Sequence, residues 1–519
     1  MSMLDAFRPL GRRIKAWRRR GDALVLDPVR RVTRVALPPG DRVAAMTFDD
    51  GPTAAPPRAG GDQGLTMLLA EALESFGAAG TFNVIGSTAG NYPDRPGRPG
   101  SAYWNGLRYD HYPAFGRDRE AGLEHQPDLA RRLAAGGHEL SNHSYRHLLF
   151  GPKPLVYWRR AWFSGSAEVL ADLHRLHEAI RLASGREPAL ARPPHYVDVT
   201  RDGWTAYDLY DWLGYTYLAA SFDGGGWLPS TGSFRRDVEA MVEPLRRALD
   251  HDPDGLRGQI IFQKDGYNMS GEAPVAEALP RHLEVLHRCG YRVVTVSELL
   301  DRSPFADVEP DQPAAAAARR LVEAGFAAAY RDNTVRPDRP MTAAEAAVTM
   351  LPRQAWLEAL AARTGWTLPP RLQAGWMRRT APAPGWPGGT PGGGAPGGAP
   401  GGAAPAPGRR GSRGAYLYAQ AWAFLQAVTG TAGPAGGRRQ APQPAEPVSG
   451  PLLAAWIEAW LDAAVSQGAL DGAEAGRRLE SARRALPAGS GPLPRGTALA
   501  ALAEALAPDD TGAPARTRL

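Results

Sequence analysis

Val43-Ala44-Ala45-Met46-Thr47-Phe48-Asp49-Asp50-Gly51-Pro52 is an apolar run that ends in two acids, a glycine and a proline. The run predicts a short buried strand, and Gly-Pro stops it and turns the backbone away. Two carboxylates therefore stand at a strand's end. Neighbouring strand residues point to opposite sides, so Asp49 and Asp50 can share one site only where the strand is ending and twisting into a loop. Taken alone, Asp-Asp-Gly-Pro also suits an Asx turn that needs these residues only for its backbone angles.

Working outward, Leu65-Thr66-Met67-Leu68-Leu69-Ala70-Glu71-Ala72-Leu73 has the 3.6-residue apolar period of a helix, and Gly77 ends it. Gly80-Thr81-Phe82-Asn83-Val84-Ile85-Gly86 predicts a second buried strand, so the opening is a parallel strand-helix-strand unit. Residues 87–126 form a long segment rich in rings, among them Trp104 and Tyr109, and are expected to wall a cleft or to pin the loop to the surface. After a helix over 128–135, His143 and His147 stand four apart. On a helical turn that spacing puts both imidazoles on one face, as metal chelation needs, although ordinary surfaces also show it.

A helix is expected over 162–184 and another over 275–288, with strands over 189–191, 215–222, 259–262 and 291–296. The first three of these strands run into Arg192-Pro193-Pro194-His195-Tyr196, Asp223-Gly224-Gly225-Gly226-Trp227 and Gln263-Lys264-Asp265-Gly266. Polar clusters at the carboxyl ends of strands are where α/β sheets and barrels carry their sites.

With those residues in order, the segment 41–302 resembles the polysaccharide deacetylase family with its NodB-type homology domain. The resemblance rests on residues 47–52, on His143-Ser144-Tyr145-Arg146-His147, on Arg192-Pro193-Pro194, and on residues 260–266 with 293–299. It implies a distorted (β/α) barrel and a divalent metal, usually zinc, on Asp50, His143 and His147. It also implies Asp49 as the base that activates water, Arg192 as the residue that orients Asp49, and backbone near Tyr196 as an oxyanion donor. Tyr196, Trp227, Trp104 and Tyr109 are the candidate substrate contacts. The implied activity is removal of N-acetyl groups from a cell-wall or chitin-like polysaccharide, a hydrolysis of carbon-nitrogen bonds that are not peptide bonds.

The departures from the family pattern are specific. Lys264 stands where the family has the histidine that protonates the leaving amine, and Gly226 stands where that histidine's aspartate partner belongs. His195 replaces the tyrosine after Pro-Pro, with Tyr196 one residue later. An amine leaves only once protonated, so a lost acid costs about 10²–10⁴ in rate. Either Lys264 or His195 supplies the proton, or the substrate is an O-acetyl ester whose leaving group needs less help, or the barrel is a retired enzyme that binds glycan.

The rest of the chain divides by composition. At 519 residues with 43% hydrophobic content it has room for two to four domains. Residues 1–40 are expected to be a basic arm, 303–380 an S-layer homology-like repeat, 381–413 a Gly/Pro/Ala linker, and 414–519 a degenerate, helical copy of such repeats. That module's resemblance implies binding of a cell-wall polymer. Its signature is broken, because Ala343 stands where an arginine should and the second copy keeps Arg495 without the glutamate. A formal charge of +6 is a weak argument for nucleic acid, and none is expected as a partner. The single Cys289 excludes an internal disulfide framework. No run reaches the ~20 apolar residues of a membrane span. The wall-type module points to the cell surface or beyond, whereas the basic N-terminus is not followed by the apolar core of a secretory signal.

Overall fold

The computed structural model describes residues 25–88, 120–153, 161–227, 230–268, 271–351, 353–366, 417, 419–425, 445–466 and 470–507. They fall into two compact units, one spanning Arg31–Pro304 and the other made of the residues up to Arg30 and from Phe305 onward.

In the first unit the strand predicted from residues 43–49 is β2 (Val43–Asp49), buried along its whole length. A strand covered on both faces is the mark of a parallel sheet wrapped by helices. The other strands are β1 (Arg31–Val32), β3 (Thr81–Val84), β4 (Glu139–Asn142), β5 (Leu190–Ala191), β6 (Thr216–Leu218), β7 (Phe222–Asp223), β8 (Ile260–Lys264) and β9 (Arg292–Val294). Their order is β1-β6-β5-β4-β3-β2-β8-β7, with β9 also on β2, and all of these ladders are parallel. Helices α1 (Leu65–Ser75), α2 (Pro127–Ala135), α3 (Ser166–Ser184), α4 (Ala206–Leu213), α5 (Phe234–His251) and α6 (Val275–Arg288) connect the strands, and α7 (Val296–Arg302) follows β9. The result is the expected distorted (β/α) barrel, built as a curled, helix-wrapped sheet.

Alternation along β2 sorts its side chains between two cores. Ala44, Met46 and Phe48 pack outward against the helices, and Phe48 stacks on Phe82 with ring centroids 4.8 Å apart. Val43 and Ala45 face inward with Leu190, Leu218, Ile260 and Val294. Thr47 and Asp49 continue that inward row, so the site lies at the open end of the barrel's own interior.

Two expectations change in the structure. The strand expected over 215–222 is two short strands with a bend between them, because Ala219 N–H donates to the Val32 carbonyl while Ser221 N–H donates to the Ile260 carbonyl. This one segment therefore reaches both ends of the sheet order. The expected N-terminal arm is also structured where it is described. Arg31 and Val32 pair with Tyr217 and Leu218, and Asp27 belongs to the other unit.

That second unit contains α8 (Pro313–Glu323), α9 (Ala343–Met350), α10 (Arg353–Thr364), α11 (Gly450–Ser466), α12 (Gly472–Ala485) and α13 (Arg495–Leu506). Three extended segments meet in a closed ring of backbone hydrogen bonds. Met341 N–H donates to the Leu493 carbonyl (3.0 Å), Leu493 N–H to Val448 (2.9 Å) and Val448 N–H to Met341 (2.9 Å). Helices α9, α11 and α13 start directly after these three segments. The fully buried Arg495 faces Glu345 at 3.8 Å and lies 4.7 Å over the Tyr330 ring. No described helix is long and apolar enough to cross a membrane.

Residues 25–27 are tied into this unit by the buried pair of Arg331 Nε and Asp27 Oδ2, 2.9 Å apart, and by Arg331 N–H donating to the Val25 carbonyl. Removing one member of a buried ion pair leaves the other charge uncompensated. Asp27→Ala is therefore expected to destabilise the helical unit by about 3–5 kcal/mol, read as a lower denaturant midpoint for its transition.

Candidate metal centre

The site is assembled by strand register. Asp49 at the end of β2 lies opposite Asn83 of β3 and Lys264 of β8, so one inward row reads Asn83, Asp49, Lys264. Asn83 Nδ2 donates to Asp49 Oδ1 at 2.6 Å. Arg192, fully buried just past β5, donates from one terminal nitrogen to the same Oδ1 (2.5 Å) and from the other to Thr47 Oγ1 (3.0 Å). Both interactions leave the second oxygen of Asp49 turned toward His143, 3.7 Å from its Nε2.

Asp50 reaches the same place by leaving the strand. Its φ of 84° is the left-handed turn that an aspartate adopts more readily than most residues, and it swings the side chain back to Asp49's side. The next residue must be glycine, because a Cβ on Gly51 would lie 1.8 Å from Asp265 Oδ2. Asp50 Oδ1 sits 3.1 Å from His147 Nε2 and 3.4 Å from His143 Nε2, and the three ligand atoms all lie within 4.8 Å of one another. The other oxygen, Oδ2, is 3.2 Å from Lys264 Nζ.

The donor set fits a metal ion. His143 Nδ1 is 2.8 Å from the Arg192 carbonyl, which can only accept, so Nδ1 carries the proton and Nε2 presents its lone pair to the cluster. Burial works against charging His143, yet the carboxylates of Asp49 and Asp50 raise its pKa overall. A position that favours the protonated imidazole is one that favours a cation.

The expected helical turn between the histidines is not what brings them together. Residues 143–147 form a loop, with Ser144 at φ 73° and His147 at φ 52°. Its shape is held by Asp172 of α3, which accepts from Ser144 Oγ (2.8 Å), Tyr145 N–H (2.6 Å) and Arg146 Nε (2.9 Å). Asn142 Oδ1 adds a bond from Ser144 N–H at 2.9 Å. Burial pushes the Asp172 pKa up, against the lowering by Arg146 and Ser144. The sequence reading missed Asp172, since an acid within an amphipathic helix carries no signal of where it points. Asn83 was missed too, although a polar residue inside an apolar strand was a usable signal.

The remaining predicted residues are placed as follows. His195 and Tyr196 lie in a turn with φ of 52° and 54°, and the His195 ring centroid is 5.2 Å from that of His147. The Arg192 guanidinium is 5.8 Å from the Tyr196 ring centre. Trp227 stands beyond β7, its indole N–H donating to Asp223 at 3.1 Å. Trp104 and Tyr109 lie outside the described residues. Asp265, fully buried and next to Lys264, accepts from Thr66 Oγ1 at 2.8 Å. Burial, with the nearby charge of Asp50, pushes its pKa up to about 7 despite the Thr66 bond.

Part of this chain is similar to known proteins. Residues 36–207 match the polysaccharide deacetylase family model, so this segment carries the sequence pattern of that family. A chitin deacetylase of Colletotrichum lindemuthianum is 23% identical over 262 residues, which cover 50% of this chain and 81% of that protein. A solved peptidoglycan deacetylase of Bacillus subtilis is 22% identical, covers 51% of this chain and 93% of its own, and superposes with a TM-score of 0.33. A CE4 family pseudoenzyme of Bacillus anthracis is 17% identical over 53% of this chain and 70% of its own, with a TM-score of 0.34.

Two measurements test the site's construction. Asp172→Ala frees the histidine loop and is expected to weaken Zn²⁺ binding by about 10- to 100-fold, measured by calorimetric titration of protein whose fold is verified by circular dichroism. Asp265 has a folded pKa of about 7 against ~3.9 unfolded. The folded state therefore binds more protons between these values, and stability falls as pH rises from about 4 to about 7. Asp265→Asn should flatten that decline in denaturation midpoints.

Proposed function

We propose that residues 31–304 form a metal-dependent hydrolase that removes N-acetyl groups from a cell-wall or chitin-like polysaccharide. The observation that carries this reading is the convergence of Asp50, His143 and His147 within 4.8 Å beside an Asp49 clamped by Arg192. A divalent ion on these three ligands, zinc in our reading, would act as a Lewis acid toward the acetyl carbonyl and the attacking water.

The chain's own residues do the rest. Asp49 takes the proton from the attacking water through the oxygen that Arg192 and Asn83 leave toward the centre. Arg192 keeps Asp49 oriented, and through its carbonyl it keeps the His143 lone pair directed inward. Backbone N–H near Tyr196 stabilises the oxyanion, and Tyr196, Trp227, Trp104 and Tyr109 serve as sugar contacts. His195 delivers the proton to the departing nitrogen, because the Lys264 ammonium is engaged with Asp50. An imidazole is also better matched to proton transfer near neutral pH than an ammonium is.

The engaged state of Lys264 favours a second reading as well. If one acid must serve alone, an O-acetyl ester is the less demanding substrate, since an alkoxide departs with weaker assistance than an amine. For the helical unit we propose degenerate S-layer homology repeats that hold a cell-wall polymer at the cell surface. Support comes from the closed backbone ring and from the meeting of Arg495 with Glu345.

Acetate release by the zinc-loaded chain on matched N-acetyl and O-acetyl glycans tests the enzyme reading. Asp50→Ala should abolish release. His195→Ala should lower amide hydrolysis by about 10²–10⁴ and ester hydrolysis less. Metal binding without release from either glycan would leave a glycan-binding protein in place of an enzyme.

A further inference from the structure

The buried centre is charge-balanced before any metal is added. Asp49 is paired with Arg192 and Asp50 with Lys264, and all four side chains are buried. Lys264 reaches Asp50 because parallel register sets it opposite Asp49 on the neighbouring strand. Gly266 lies beside both partners. A Cβ built on Gly266 would lie 3.4 Å from Lys264 Cε and 3.5 Å from Asp50 Cβ. The two oxygens of Asp50 thus serve different clients, Oδ1 facing the histidines and Oδ2 the ammonium.

We infer that Lys264 is a tethered competitor for the metal ion. Resting on the metal-centre reading above, this assigns Lys264 to control of occupancy rather than to proton delivery. A cation at the Asp50, His143 and His147 cluster must share a single carboxylate with a fixed ammonium, in a site where little water screens the repulsion. A single buried charge within a few ångström shifts a neighbour's ionic equilibrium by about one to three powers of ten. The same ammonium neutralises Asp50 when no ion is bound, so the empty centre folds without an uncompensated buried charge. Lys264 therefore stabilises the metal-free state and weakens the metal-bound one, making occupancy depend on how much divalent ion the surroundings supply.

The test uses the full chain, stripped of metal and titrated with Co²⁺, which reports both affinity by calorimetry and ligand geometry by visible absorption. Lys264→Met is expected to bind one Co²⁺ about tenfold or more tightly than the wild type. It should melt at a lower temperature without the ion and gain more in melting temperature when the ion is added. Lys264→Arg keeps the charge and should bind no more tightly than the wild type, and Lys264→Gln gives a neutral variant if the methionine variant does not fold. Equal or weaker binding by the neutral variants, with the wild type binding one ion, would overturn the competitor role and leave the metal centre standing. Absence of any bound Co²⁺ in the wild type and the neutral variants alike would remove the metal centre and the competitor together.

Discussion

The buried contact between Arg192 and Asp49 is the constraint on which the rest of the site depends. Its guanidinium fixes one oxygen of Asp49 and Thr47, and its carbonyl holds the proton of His143 on Nδ1. One residue therefore sets the orientation of the candidate base and the tautomer of a candidate ligand. It can do so only because β5 delivers it beside β4, where Arg192 N–H bonds to the Asn142 carbonyl, one residue before His143. A fully buried arginine is costly to desolvate, so it is retained where its charge has a partner.

Around that contact the centre is arranged so that each buried charge meets its opposite. Asp172 gathers the loop that carries both histidines, accepting from backbone and side-chain donors along it. Asp265 behaves differently. Burial raises its pKa, and the bond from the Thr66 hydroxyl offsets only part of that. Left-handed backbone at Asp50, Ser144, His147, His195 and Tyr196 is confined to the turns that aim these side chains. Such strain is held at a site because the surrounding sheet over-determines it.

The helical unit obeys the same principle on a larger scale. Its segments at Met341, Val448 and Leu493 complete one another's backbone bonds in a ring, so none of the three is satisfied alone. Arg495 is buried against the carbonyls of Val335 and Ala328 and beside Glu345, contacts that join parts of the chain 150 or more residues apart. Segments distant in sequence thus supply one another's buried partners, as a buried charge requires.

What the sequence determined by itself was local. An apolar run ending in Asp-Asp-Gly-Pro dictated a strand that stops at two carboxylates, and the apolar periods of residues 65–73 and 275–288 dictated helices that the structure contains. Periodicity and turn residues act over a few neighbours, which is why these features were legible. The tertiary structure decided the rest. Register between strands placed Asn83 and Lys264 on either side of Asp49, and a carboxylate from α3 bent the histidine loop that spacing alone had suggested was helical. Pairing with different neighbours split residues 215–222 into two strands, and the backbone ring brought Arg495 to Glu345. These outcomes depend on which distant groups satisfy a buried charge or an unpaired backbone amide, and that is set by packing across the whole domain, not by the order of residues along the chain.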